Sequence, residues 1–192
     1  MRRGARCQTI SGSWTHDNHQ QIKGIAWLDQ AAIRAEPHTA FLLGDNYTDK
    51  YRTDEAGRAN WGNQAEEAGH HDRKNVVGIT TTFGSMGDGA ARDPKKFKDL
   101  MDKEFQPLEK FVKRGGTVKF PVRDGNILNT VGNPPEYFKH NLGTGLADMD
   151  PNMLPIIQAK LDELASIVPT STMDPATNMR LLQEDLAAAR RA

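Results

Sequence analysis

Three short apolar runs set the strongest limit on what this chain can fold into: TAFLLGDN at 39–46, NVVGITTT at 75–82 and TVKFPV at 117–122. The first meets a Gly-Asp-Asn loop, the second is β-branched at almost every position, and the third carries a proline near its end. These are the marks of short buried strands. Between the second and third lies a long helical pattern, with Phe97, Leu100, Met101, Phe105, Leu108, Phe111 and Val112 at three- and four-residue steps. Asp93 is suited to cap that helix, Pro94 to open it and Gly115-Gly116 to end it. Pro107 is expected to kink or split it, because proline removes an intrahelical bond. Strands alternating with helices pair in parallel through crossovers, so the chain reads as an α/β layered domain.

The flanks extend this reading. Ile22, Ile25, Ala26, Ala32 and Ile33 suggest a helix from about residue 22, stopped at Glu36-Pro37. Leu154, Ile157, Leu161, Leu164 and Val168 form a further helical face, with Pro155 near its opening. After a linker, PTSTMDPATN, Asp174 and Pro175 start a last helix whose sizeable apolar residues are Met179, Leu181, Leu182 and Leu186. So narrow a stripe suits packing on the main body, with docking on a protein partner or another subunit as the alternative. The expected organisation is a polar N-terminal arm at 1–20 with a short strand near 8–10, an α/β domain at 21–168 with an insertion at 123–142, and a linker and appended helix at 169–192.

Charge narrows the choice of partners. Lys+Arg and Asp+Glu are both 25, so no net field draws the chain to nucleic acid or a membrane surface, and general nucleic-acid binding is not expected. The longest apolar blocks, AFLL and NVVGI, are far too short to span a bilayer. The opening MRRGARCQTISG lacks the apolar stretch of a signal peptide. A single cysteine, Cys7, offers neither an intramolecular disulfide nor a zinc-ligand pair, so a reducing, cytoplasmic location is expected.

Several polar clusters invite chemistry and fall short of it. DNYTDKYRTDEAG places Lys50 where a calcium loop needs glycine and Ala56 where it needs a bidentate acid. His70, His71 and Asp72 lack a second spaced ligand pair, and His16 and His19 have no further ligands around them. No metal site or cofactor is expected. His140 could line a site or act in acid–base work, and Cys7 lies near Arg2, Arg3 and Arg6 without other support for a nucleophile. Trp27 fits a helix core face, whereas Trp61 could stack on a base. No catalytic residue is assigned.

The glycine turns are more informative, because ligands of open α/β sheets bind beyond the carboxyl ends of the strands. Gly44, Asp45 and Asn46 follow the first run. Gly143, Thr144 and Gly145 follow the third and precede a helix start, where backbone N–H groups can cradle an anion. In order, FLLGDN, NWGNQAEEAG, NVVGITTT, VKFP and GTGLADMDP resemble the macrodomain family, and more closely a set of mostly phage-encoded relatives. The resemblance covers residues 39–164.

It implies a three-layer α/β/α fold with a mostly parallel sheet that binds ADP-ribose or a related nucleotide, with hydrolysis of an ADP-ribose derivative as an extension. By the same resemblance Asp45 accepts from the adenine amino group, and Gly44 and Asn46 flank it. Gly62, Asn63 and Gln64, with Trp61 beside them, lie near the distal ribose and phosphates. Gly143, Thr144 and Gly145 form the phosphate loop. The chain lacks the Asn-Ala-Ala-Asn-like segment and the run of three glycines usual in macrodomains, and that weakens catalysis more than binding. The alternative is a non-catalytic phage accessory or virion protein, or an inhibitor of a host system, that acts in the host cytoplasm through protein contacts. A third reading is a hydrolase that uses Asp45 or Asp124 as general base.

Overall fold

The computed structural model describes residues 21–25, 30–46, 74–82, 93–121 and 153–191. In chain order the elements are β1 (Ile22–Ile25), α1 (Gln30–Ala35), β2 (Thr39–Asn46), β3 (Val76–Thr82), α2 (Pro94–Lys113), β4 (Thr117–Pro121), α3 (Met153–Ala165) and α4 (Pro175–Arg191). The strands form one sheet in the order β1-β4-β2-β3, with every pair parallel. The protein is therefore an α/β domain, with a four-stranded parallel sheet among the described residues.

This order explains where the helices lie. From β1 the chain skips past β4 to reach β2, and from β3 it skips back past β2 to reach β4. If both crossovers share one hand, moves in opposite directions carry their helices to opposite faces. Residues alternate between faces along a strand, and the clusters follow. Ala40 and Leu42 join Ile22, Val77, Ile79, Val118 and Phe120 against α2, α3 and α4. Phe41 and Leu43 pack with Val76 and with Ile33 of α1 on the other side.

Helix α2 organises the larger cluster. Phe97, Met101, Phe105, Leu108, Phe111 and Val112 are all fully buried. At its start Asp93 is extended (φ −111°, ψ 103°), and its carboxylate accepts from the amides of Lys95 at 3.0 Å and Lys96 at 3.4 Å, as an N-cap should. Its end is a Schellman turn: Gly116 N donates to Phe111 O and Gly115 N to Val112 O, both at 2.9 Å, with Gly115 at φ 91°. The helix runs unbroken through Pro107, which is itself buried, so the expected split does not occur. Packing along the whole apolar face outweighs one missing bond.

The segment read as a linker closes this end of α2. Thr170 N donates to Lys113 O at 3.0 Å and Met173 N to Arg114 O at 3.1 Å, supplying donors to carbonyls that a helix end leaves open. Asp174 then caps α4 by accepting from Thr177 N and Oγ1, both at 2.9 Å. Asn178, buried, donates to Phe111 O at 3.1 Å and accepts from Arg114 Nε at 2.8 Å. Asp185 pairs with Arg114 at 3.0 Å and Lys110 at 3.1 Å. Met179 and Leu182 enter the main cluster, so the narrow stripe of α4 is spent on the body.

Two further expectations are corrected. Ile22 and Ile25 belong to a strand, not to a helix starting near 22, and the described helix spans Gln30–Ala35. The two isoleucines stand three apart, which looks like one helical face but puts them on opposite sides of a strand. Ile22 joins the α2 cluster and Ile25 packs toward α1, and pairing with β4 settles the matter. Val168 lies past the end of α3 and is 78% exposed, so it adds nothing to that helix's buried face. The strand near 8–10, the arm at 1–20 and the insertion at 123–142 lie outside the described residues.

An ionic network joins α2 to α3. Lys160 reaches Asp102 at 2.5 Å and Glu163 at 2.6 Å, and Lys98 reaches Asp102 at 2.6 Å. Burial alone would push the Asp102 carboxyl up, but hydrogen bonds from Lys160 and Lys98 outweigh it and hold the group below its ordinary 3.8. Burial would likewise lower Lys160, yet Asp102 and Glu163 together raise it above 10.5. Glu36, opposed in the same way by burial and favoured by Lys119 and Thr39, ends below 4.5.

The signs fix a prediction. Carboxyls lowered on folding contribute stability at pH above their ordinary values and lose it as pH falls through the folded ones. A raised lysine contributes below its ordinary value and loses that as pH climbs past it. The urea midpoint should therefore be level from about pH 5 to beyond neutrality, fall below 4.5 and fall again above 10.5. Asp102→Asn should flatten part of the acid limb. An acid limb unchanged in that variant would exclude Asp102 as a source.

Candidate functional site

The carboxyl ends of β2 and β3 hold the one grouping of buried polar side chains among the described residues that lies where α/β sheets bind ligands. Asp45 is 5% exposed, Thr80 and Thr81 are buried, and Glu104 of α2 is 4% exposed. The strands reach this edge as apolar runs, Leu42-Leu43 and Val76-Val77, and turn polar only at their last residues.

Asp45 is seated by a glycine. It stands opposite Thr80 in the parallel register, and the pairing shifts between Asp45 and Asn46, whose partner is Thr82. A Cβ added to Gly78 would lie 2.8 Å from both Cβ and Cγ of Asp45 and closer still to Oδ2. The carboxylate therefore occupies space that only glycine leaves open. Thr81 Oγ1 reaches the Asp45 carbonyl at a long 3.5 Å.

Glu104 anchors the neighbouring residue. Thr80 N donates to one of its oxygens and Thr80 Oγ1 to the other, each at 2.6 Å. A buried carboxylate is costly unless hydrogen-bonded, and one threonine supplies two donors. Among the described strands β3 stands at one end of the sheet, and the Thr80 amide on the side away from β2 is taken by Glu104. The sequence reading passed over Glu104, although the signal was present. It falls midway between Phe97 and Phe111 on the buried face of α2, where an acid has no reason to be unless something polar waits opposite.

Strand β4 bears on the second candidate turn. It pairs directly with β2, with Thr39 opposite Thr117 and Phe41 opposite Lys119. Continuing that register puts Pro121 beside Leu43, so Gly44, Asp45 and Asn46 extend past the last described residue of β4. The strand leading toward Gly143, Thr144 and Gly145 is thus the sheet neighbour of the strand that carries Asp45. Those three residues themselves, together with Trp61, Gly62, Asn63 and Gln64, lie outside the described residues. So do Asp124, His140, Cys7 and the other histidine and tryptophan candidates named above.

No family model, curated protein or solved structure matches this chain. The chemistry of the strand ends must therefore carry the functional reading. Among the described residues no three His, Cys, Asp or Glu side chains are grouped to hold a metal ion, and no helix there is long and apolar enough to cross a membrane.

Proposed function

We propose that the protein is a macrodomain-like, three-layer α/β/α domain that binds ADP-ribose or a related nucleotide across the carboxyl ends of β2 and β4. The observation that carries this reading is the adjacency of those two strands, because the Gly-Asp-Asn end of β2 then lies beside the strand from which the chain leads on toward Gly143, Thr144 and Gly145. Asp45, buried and held over Gly78, has the acceptor chemistry that an exocyclic amino group requires. A pyrophosphate would lie on the amides of Gly143, Thr144 and Gly145, with Trp61, Gly62, Asn63 and Gln64 near the distal ribose. Hydrolysis of an ADP-ribose derivative is a further step of the same proposal. Docking of a protein partner through α4 has less support, since Met179 and Leu182 are already committed to the core.

Calorimetric titration with ADP-ribose, ADP and NAD tests the reading. ADP-ribose should bind and raise the melting temperature. Asp45→Asn, which keeps the shape but loses half the acceptor capacity, should weaken binding about tenfold or more. Absence of heat with all three nucleotides would overturn the proposal.

A further inference from the structure

We infer that Glu104 is a positioning residue for Asp45: by holding Thr80 on the side of β3 away from β2, it fixes β3 in the one register that places Gly78 beneath the Asp45 carboxylate. That Asp45 then meets a nucleotide rests on the proposed function; the positioning itself does not. Three facts lead to it. Thr80 is the register partner of Asp45, and both its amide and its hydroxyl are held by Glu104 at 2.6 Å. Gly78, two residues earlier, is the site over which the carboxylate lies, with no room for a side chain.

Register in a strand is specified only as firmly as its contacts allow, and a slip by one residue exchanges the two faces. A slip of two would keep the faces but bring Val76 or Thr80 under Asp45, where a Cβ cannot fit. The correct pairing is therefore unique, and the question is what holds it. On its inner side β3 has β2; on its outer side, at this height, it has Glu104. The carboxylate comes from a helix whose neighbouring residues Met101, Phe105 and Leu108 are fully buried, so it is a rigid reference point. It is not a catalytic residue, since it acts on Asp45 through Thr80.

The test uses the full chain with Glu104→Leu, which removes both acceptors, and Glu104→Gln, which retains one acceptor and adds a donor for the threonine oxygen. Amide hydrogen exchange is followed by residue, and ADP-ribose is titrated in parallel. In E104L, exchange at Asp45, Asn46, Thr80 and Thr81 should speed up about tenfold or more, while amides of Leu161 and Leu164 in α3 keep their wild-type rates. ADP-ribose affinity should fall about tenfold, and E104Q should restore both readouts to within about threefold.

Uniform acceleration across β3 and α3 would mean a merely structural role and would overturn the inference, as would unchanged exchange at the strand ends. If E104L does not fold, Thr80→Val removes the hydroxyl contact alone, and the same local pattern at about threefold is required. Failure of the wild-type protein to bind any nucleotide would overturn the functional proposal, and the exchange data would still decide the role of Glu104.

Discussion

A chain lacking residues 170–192 should lose cooperative thermal unfolding. The deletion takes Met179 and Leu182 out of the main cluster, each worth about 1.5–3 kcal/mol of apolar burial. It also strips the donors that Thr170 and Met173 give to Lys113 and Arg114 and the buried Asn178 contacts to Phe111 and Arg114. Hydrogen bonds of this kind contribute about 0.5–1.5 kcal/mol each, and more when a buried partner is left unsatisfied. Together these losses rival the whole stability of an ordinary domain, about 5–15 kcal/mol. Circular dichroism against temperature reads the result. A sharp transition within a few degrees of the full chain would show that α4 is an accessory, contrary to its place in the core.

The second large effect is expected at Phe111. Its fully buried ring lies against the backbone of Gly116, where an added Cβ would meet Cδ1, Cε1 and Cζ closer than any real contact allows. Phe111→Ala should cost about 3–5 kcal/mol by leaving a cavity. Gly116→Ala should cost about 1–3 kcal/mol for the opposite reason, overpacking. The informative measurement is the double variant. Once the ring is gone the new methyl has room, so Gly116→Ala should add little or restore some stability, and urea midpoints should show a clear departure from additivity. Additive losses would mean that Gly116 is needed for its backbone, not for space.

The strands at 39–46, 76–82 and 117–121 were legible as short apolar runs, although Gly44, Asp45 and Asn46, read as a loop, continue β2 to its end. Helix α2 was legible from both ends, since Asp93-Pro94 and Gly115-Gly116 do local work that needs no tertiary partner. β1 was not, because its four residues are too few to separate a period of two from one of three or four, and its partner strand lies far along the chain. The reading of 169–173 as a linker missed its part in closing α2, because backbone donors leave no trace in side-chain identity. At the candidate site, Asp45 was picked out by the residues around it. The seat beneath it at Gly78 and the anchor at Glu104 depend on register and on helix placement, which single-sequence patterns do not encode.

The strand order has a consequence for how such a chain matures on the ribosome. Among the described residues β4 is the last strand to be synthesised, yet it sits between β1 and β2, so until it emerges β1 lacks the one described strand it pairs with. β2 and β3 can pair before then, but they gain a full sheet only when residues 117–121 insert beside them. High contact order of this kind slows folding and leaves strand edges open in the meantime. Nascent chains halted before residue 117 should therefore need chaperone protection, whereas chains released past α4 should close the sheet in one concerted event.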